Sequence, residues 1–475
     1  MTGRPASRQM PRRCRRRGPA RCGGRAVPRH RKNDPRSDAR PLRPPELPRP
    51  VPARRPGPGG PARHRGGCAR HQSRPRPAGR APYPLSGRRP LHARHPSLRG
   101  EFETATLRGE AAALAALALK AEGFVPDVIC GHAGWGETLF LTDVWPQARL
   151  LTFAEFFYSA SGADFGFDPE FPSRTGDVFR TRARNAGLLL AFAASDRLVS
   201  PTAWQASRIP AVFRDRLSVI HDGIDTDLLR PDPSARITLG RGRFPLGVGD
   251  EVVTFVNRNL EPYRGYHSFM RALPEILRRR PKARAVIVGG SATSYGGRPP
   301  AGRTWRELFF DEVKAELDLS RVHFVGRIPY RDYVDLLRVS AVHVYLTYPF
   351  VLSWSMLEAM ALGACLVGSA TPPVEEVIRH GENGILVDFF SAAAIAEAVV
   401  SALADPAAMA PLRAAARQSA LAYDLRRVCL PAHLRLIEAV AAGGAGSDGS
   451  HECDRKKRDA APAPGDLSRP EEVPR

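Results

Sequence analysis

Two arginines near one predicted strand carry the strongest chemical signal in this sequence of 475 residues. The apolar run Val252–Asn257 predicts a buried strand; Arg258 follows it directly, and Arg264-Gly265 follows after a short loop. Two cations at the carboxyl end of a strand can hold a diphosphate, because guanidinium groups match phosphate oxygens and stay charged. The pair therefore predicts a phosphate site, with surface arginines on a loop as the alternative.

A second candidate lies where a predicted strand passes through a loop into a helix. Ser353 is placed to cap the helix Ser353–Leu362, and its first backbone N–H groups would then form an anion site. Glu358 lies in the same apolar helical pattern. If it is buried it needs a hydrogen-bonding partner, which a ribose hydroxyl pair would supply; otherwise it faces solvent.

The first half of the chain offers two candidates for proton transfer. His132 follows the predicted strand Asp127–Cys130, and Glu155 follows the next one, Arg149–Phe153. Both are predicted as catalytic residues, with a structural histidine and ordinary core packing as the alternatives. The glycine-rich stretch after the first strand predicts a sugar or acceptor cleft lined by Gly134, Trp135, Gly136 and Glu137.

No metal or cofactor is expected. Asp225-Thr226-Asp227 matches a short acidic metal motif, but it precedes a predicted turn and helix, where aspartates commonly cap. The 7 cysteines form no CxxC pair, which favours reduced thiols and a cytoplasmic protein. No apolar run is long enough for a membrane span.

Short apolar strands alternating with helices predict an α/β protein with two doubly wound, Rossmann-like domains facing a cleft. The predicted parts are an Arg/Pro-rich, disordered tract at 1–95, a first domain at 96–235 that lacks its first strand and helix, a linker at 236–249, a second domain at 250–425, a helix at 426–441 and a disordered tail at 442–475.

The net charge of +23 belongs to the beginning of the chain. The first hundred residues hold 28 of the 71 Lys+Arg and 20 of the 45 prolines, so residues 101–475 are close to neutral. This excludes a basic nucleic-acid binder over the whole length. Three interpretations of the tract stay open: a basic arm that contacts RNA or anionic lipid, a transit peptide, and a wrong start or shifted frame. The missing strand and helix favour the third.

The segment His132–Glu137, with Gly162–Phe171, resembles a bacterial subgroup of the retaining GT-B glycosyltransferases of family 4, and three further segments together resemble the family. They are Arg258…Arg264-Gly265, Ser355–Gly363 with Val374–Gly384, and Val219–Asp225. The resemblance implies that Arg258 and Arg264 bind the diphosphate of a nucleotide-sugar donor and that Glu358 binds its ribose. Family members usually carry lysine at the position of Arg264, and a glutamate eight residues before Glu358, where this chain has Phe350.

The implied reaction moves a sugar to an acceptor hydroxyl with retention, in cell-envelope polysaccharide synthesis. A glycan or a lipid-linked molecule is the expected acceptor, and peripheral association with the inner face of the membrane is a further option. Nucleic acid is not expected as a partner. The alternatives are a nucleotide-sugar 2-epimerase, a non-catalytic protein, and a nucleic-acid-binding protein acting through the basic tract.

Overall fold

The computed structural model describes residues 100–173, 175–239 and 244–443. The predictions made for residues 1–95 and for the tail beyond 443 lie outside these ranges. All described residues belong to one compact unit of the chain, Arg80–Arg475.

In the described part of the first domain, four parallel strands form one sheet in the order β1-β2-β3-β4. The strands are β1 Val128–His132, β2 Arg149–Phe153, β3 Arg197–Ser200 and β4 Leu217–Val219. The helices are α1 Gly100–Ala121, α2 Leu141–Val144, α3 Thr175–Ala194 and α4 Ala203–Arg208. Strand β2 has its predicted bounds, and β1 begins one residue and ends two residues later than predicted, because a short apolar run marks a parallel strand that is buried on both faces.

The second domain has six parallel strands among the described residues, in the order β12-β11-β10-β7-β8-β9. An antiparallel pair, β5 Arg236–Leu239 and β6 Phe244–Gly247, precedes them. The strands of the sheet are β7 Val252–Asn259, β8 Arg284–Gly290, β9 Val322–Gly326, β10 Val342–Tyr345, β11 Cys365–Ser369 and β12 Ile385–Val387. The helices are α5 Tyr266–Arg279, α6 Trp305–Val313, α7 Tyr330–Val339, α8 Trp354–Ala361, α9 Pro372–Glu375, α10 Ala392–Ala404 and α11 Ala410–Leu421.

The antiparallel pair β5–β6 lies inside the stretch 236–249 that was predicted as a linker. Leu239 and Leu246 are buried in the core of the second domain, together with Val252. The Pro/Gly-rich sequence of this stretch predicted a linker although these two apolar residues are buried. Their burial removes apolar surface from water and so attaches the strand pair to the core of the second domain.

The strand order creates a switch point between β7 and β10. The chain runs outward through β8 and β9 on one side and through β11 and β12 on the other. Alternate residues of β7 enter different cores: Val253 and Phe255 join one apolar cluster, and Val252 and Val256 join the other. In such sheets ligands bind outside the carboxyl ends of the strands at the switch point.

The last described helix returns to the first domain. A π-helical turn, Leu425–Cys429, leads into α12, Leu430–Ala441, which contacts β1 and β2. His433 Nε2 lies 3.2 Å from the carbonyl oxygen of His221. Within the described residues, no helix combines the length and the apolar character needed to cross a membrane.

Candidate active site

Arg258 lies at the carboxyl end of β7, beside the switch point. It belongs to the strand rather than following it, because β7 continues to Asn259. Its side chain is exposed, and it makes no hydrogen bond or ion pair with the described ranges of the chain. A permanently charged group without a counter-ion at a ligand-binding sheet edge is suited to an anionic ligand.

Arg264 lies in the next turn but is 5 % exposed. One guanidinium nitrogen, Nη1, donates to Thr347 Oγ1 at 2.8 Å and to the Val351 carbonyl oxygen at 2.9 Å. Within the described residues no carboxylate lies within 4.0 Å of this guanidinium, so neutral acceptors hold it in place without neutralising its charge. Gly265 permits the close approach: its φ is +69°, and a Cβ there would lie 2.3 Å from Leu346 Cβ.

Ser353 is the N-cap of α8. Its hydroxyl oxygen accepts from the Ser355 N–H at 3.4 Å, and its own N–H donates to Tyr345 Oη at 2.8 Å. The preceding loop supplies the Val351 carbonyl that holds Arg264. The helix start and the buried cation are therefore adjacent.

Both carboxylate oxygens of Glu358 have protein partners. Tyr330 Oη donates to Oε1 at 2.8 Å, and Tyr333 Oη donates to Oε2 at 2.6 Å. Burial and the charge of Glu358 raise the pKa of both tyrosines, so their hydroxyls stay protonated donors. Each carboxylate oxygen keeps an acceptor site for a ligand hydroxyl, and sequence reasoning missed the two tyrosines that orient it.

The structure brings His132 and Glu155 together at the ends of the paired strands β1 and β2. His132 Nδ1 accepts from the Gly134 N–H at 3.0 Å, so the neutral ring carries its proton on Nε2. That nitrogen lies 3.4 Å from Glu155 Oε2. Trp135, which is 58 % exposed, stacks on His132 with ring centroids 4.6 Å apart. A proton-transfer pair beside an exposed aromatic face suits an acceptor hydroxyl.

The other predicted cleft residues turn towards α1. Glu137 forms an ion pair with Arg108 of α1, at 3.3 Å. Gly136 has a φ of +94°, and a Cβ there would lie 2.2 Å from the Ala105 carbonyl oxygen. The packing of α1 against this turn therefore accounts for a glycine at position 136 and for the ion-paired side chain of Glu137.

One buried amide joins the two halves of the site. Gln205 Nε2 donates to the Glu155 carbonyl oxygen at 2.6 Å, and Gln205 Oε1 accepts from the Leu352 N–H at 3.3 Å. The Glu376 carboxylate also accepts from the N–H groups of Ala203 and Trp204 at the start of α4. Glu155 and Leu352, the residue before Ser353, are thus linked through one side chain, which sequence reasoning missed.

A segment after β2, residues 159–173, packs into the second domain; we call it the clasp segment. Asp168 Oδ2 lies 3.0 Å from His267 Nε2 and accepts from Tyr348 Oη at 2.7 Å. Asp164 accepts from Tyr263 Oη, and Glu170 forms an ion pair with Arg271 at 2.7 Å. Two phenylalanines of the segment, Phe167 and Phe171, pack against rings of the second domain.

Two acids of the clasp segment, Asp168 and Glu170, form with His267 of α5 the one group of possible metal ligands in the described residues whose ligand atoms lie within 4.8 Å of one another. His267 and Tyr348 already form hydrogen bonds with Asp168, and Arg271 binds Glu170 through two nitrogens. Because Asp168 has these partners and a guanidinium already supplies positive charge at Glu170, we assign no metal to this group.

Two family models and several solved structures match this chain. Residues 68–229 match the family described as Glycosyl transferase family 4 group, and residues 241–420 match Glycosyl transferases group 1. Among solved structures, Anabaena Alr3699/HepE in complex with UDP and glucose is similar, with a TM-score of 0.52 and 16 % identity, over 70 % of this chain and 81 % of that chain. Sucrose-phosphate synthase from Thermosynechococcus elongatus has a TM-score of 0.53 and 19 % identity, over 70 % and 79 %. These matches show a GT-B fold with two Rossmann-like sheets.

Two curated relatives are more similar in sequence. D-inositol 3-phosphate glycosyltransferase of Acidothermus cellulolyticus is 31 % identical, over 53 % of this chain and 54 % of the relative. GDP-mannose-dependent alpha-(1-6)-phosphatidylinositol monomannoside mannosyltransferase of Mycolicibacterium smegmatis is 31 % identical, over 45 % and 55 %. The chain spans about half the length of the curated relatives it matches.

Proposed function

Because the chain belongs to the family 4, group 1 glycosyltransferases, we propose that it transfers a sugar from a nucleoside-diphosphate donor to an acceptor hydroxyl, with retention. The observation that carries this proposal is the pair of arginines at the carboxyl end of β7. One is exposed without a partner, and the other is buried without a carboxylate. Two arginines that form no ion pair within the described residues, one three residues before Glu261 and one three residues after it, suit a diphosphate.

The chemistry is a displacement at the anomeric carbon. The bond from that carbon to the β-phosphate oxygen breaks, and its electron pair stays on the leaving diphosphate. Arg258, Arg264 and the first N–H groups of α8 stabilise this charge, and a preorganised donor of this kind contributes about 10²–10³ in rate. The acceptor oxygen bonds to the same face of the carbon and releases its proton, which the His132–Glu155 pair receives.

The acceptor in this proposal is a hydroxyl of a glycan or of a lipid-linked polyol. Two curated relatives are named for inositol phosphate and for a phosphatidylinositol mannoside. The exposed ring of Trp135 beside His132 supports a polyol or sugar ring as the acceptor, because the C–H groups on one side of such a ring pack against an aromatic face.

The activity is tested by incubating the full chain with UDP-glucose or GDP-mannose, each with and without myo-inositol phosphate or phosphatidylinositol. Nuclear magnetic resonance should show a new glycosidic anomeric signal of the donor's configuration, together with free nucleoside diphosphate. A donor that changes into its 2-epimer without any acceptor would replace this proposal with an epimerase. A chain that binds none of the nucleotides would contradict both.

Glu358→Gln is expected to weaken nucleoside-diphosphate binding by about 10- to 100-fold, because a ribose hydroxyl loses a charged acceptor. Binding of inorganic pyrophosphate, which has no ribose, should not change. Calorimetry on both ligands checks this, with Glu375→Gln, an exposed glutamate of α9, as the matched control. Equal weakening for both ligands would place Glu358 in the packing of α7 and α8 instead.

A further inference from the structure

Members of the family usually carry a glutamate eight residues before the position of Glu358, and this chain has Phe350 there, which has no carboxylate. Phe350 is 3 % exposed, and its ring packs on Tyr263 and Tyr295 with centroids 5.3 and 5.1 Å apart. A phenyl ring there offers no acceptor to a hydroxyl. The donor sugar, whose hydroxyls this carboxylate usually contacts, needs another acceptor in this chain.

Glu261 is a buried carboxylate with one oxygen unused. It is 1 % exposed, and its Oε2 accepts from the N–H groups of Ser294 at 3.0 Å and Tyr295 at 3.3 Å. Its Oε1 is buried and has no hydrogen-bond partner in the described part of the chain. A buried acceptor left without a donor is costly, so a group that arrives with the ligand and donates to it would be strongly favoured.

The position of Glu261 relates this oxygen to the diphosphate site. Glu261 lies three residues after Arg258 and three before Arg264, and it precedes the short 3₁₀ turn Pro262–Arg264 without capping it. Its carboxylate binds the Tyr295 backbone instead, and the Arg264 guanidinium lies over the Tyr295 ring, 5.1 Å from its centroid. Glu261 does not pair with Arg264, although both are buried.

A sugar attached to a diphosphate brings its hydroxyls directly beside the phosphate-binding cations. We propose that Glu261 replaces the missing family carboxylate and accepts hydrogen bonds from hydroxyl groups of the donor sugar through Oε1. This inference rests on the proposed function, since it needs a nucleotide-sugar donor at Arg258 and Arg264. It makes Glu261 a sugar-binding residue of this chain.

The protonation of Glu261 fits a ligand-dependent partner. Burial raises the pKa of its carboxyl, and the N–H groups of Ser294 and Tyr295 and the charge of Arg264 oppose that rise. Hydroxyl donors on a bound sugar would act in the same direction as these groups and favour the ionised form.

The competing explanation is that Glu261 only anchors the loop after β8. An anchor would affect every ligand of the site equally, whereas a sugar contact affects only ligands that carry the sugar. Binding of a nucleoside diphosphate and of its sugar derivative to the same variant therefore separates the two.

The test is calorimetry of the full chain with UDP, UDP-glucose, GDP and GDP-mannose. For the base that the unaltered chain binds, Glu261→Gln is expected to weaken the sugar nucleotide by about 10- to 100-fold and leave the diphosphate unchanged. Glu275→Gln, the same chemical change on the half-buried Glu275 of α5, which pairs with Arg278, should alter neither. Glu261→Asp keeps the charge but withdraws the oxygen, and an intermediate loss confined to the sugar nucleotide is expected.

Equal weakening of the diphosphate and the sugar nucleotide would overturn the role of Glu261 and leave the proposed function intact, as would unchanged affinity for both. If Glu261→Gln does not fold, Glu261→Asp decides by the same comparison. An unaltered chain that binds none of the four nucleotides would contradict the proposed function itself, and the role of Glu261 with it.

Discussion

Turnover of the nucleotide-sugar donor should fall about 10²–10³-fold in Arg258→Ala, with no change in the thermal unfolding midpoint. The rate falls because one preorganised donor to the leaving diphosphate is lost. Stability is unaffected because the side chain is exposed and has no partner in the described residues. Initial rates of nucleoside-diphosphate release at saturating donor, with unfolding followed by circular dichroism, check both halves of this expectation.

Two further variants sharpen the Arg258 experiment. Arg258→Lys keeps a charge but loses the two-pronged guanidinium, and it should recover part of the rate. Arg435→Ala removes an exposed arginine of α12 and should behave as the unaltered chain. Donor turnover that is equal in Arg258→Ala and Arg435→Ala would remove Arg258 from the diphosphate site.

The largest loss of stability is expected from Asp168→Ala in the clasp segment. The substitution leaves the buried His267 and Tyr348 groups without their acceptor, and a buried donor left unsatisfied costs about 1–3 kcal/mol. Chemical denaturation of the full chain measures the change. The exposed counterpart Glu170→Gln, which loosens the ion pair with Arg271, should cost about 1 kcal/mol or less.

The Asp168 contribution should also depend on pH. Burial by itself raises the pKa of this carboxyl, but hydrogen bonds from His267, Tyr348 and the Glu170 N–H outweigh it, so the pKa is lowered in the folded chain. The unfolded chain then binds a proton more readily, and this stabilisation is full above the unfolded pKa of about 3.9 and disappears as the pH falls below it. If the free energy of unfolding at neutral pH is the same for Asp168→Ala as for the unaltered chain, the contacts of Asp168 with His267 and Tyr348 do not stabilise the fold.

The parts of the fold that sequence reasoning found depend on local pattern. The strands of both sheets are short apolar runs. Arg258 and Arg264 were chosen as candidate phosphate-binding residues because they come soon after the same run, Val252–Asn257, in the sequence. A parallel strand buried on both faces leaves little choice of register or position. The sites at strand ends follow from that placement.

The parts that were missed depend on contacts between distant residues. Gln205 joins Glu155, which lies 50 residues before it in the chain, to Leu352, which lies 147 residues after it, and no local pattern marks such a bridge. Tyr330 and Tyr333 orient Glu358 from a different helix, α7. The acids and phenylalanines of the clasp segment acquire partners only when the second domain is folded.

The clasp segment bears on how this chain can be recombined. By order along the chain, residues 159–173 belong to the first domain, yet the side chains of Asp164, Asp168 and Phe171 complete the interior of the second. A chimera joined near β5 would carry the segment of one parent against the second domain of another. Such hybrids should be active only when the parents also share this segment, so the unit of exchange between the two domains is discontinuous in sequence.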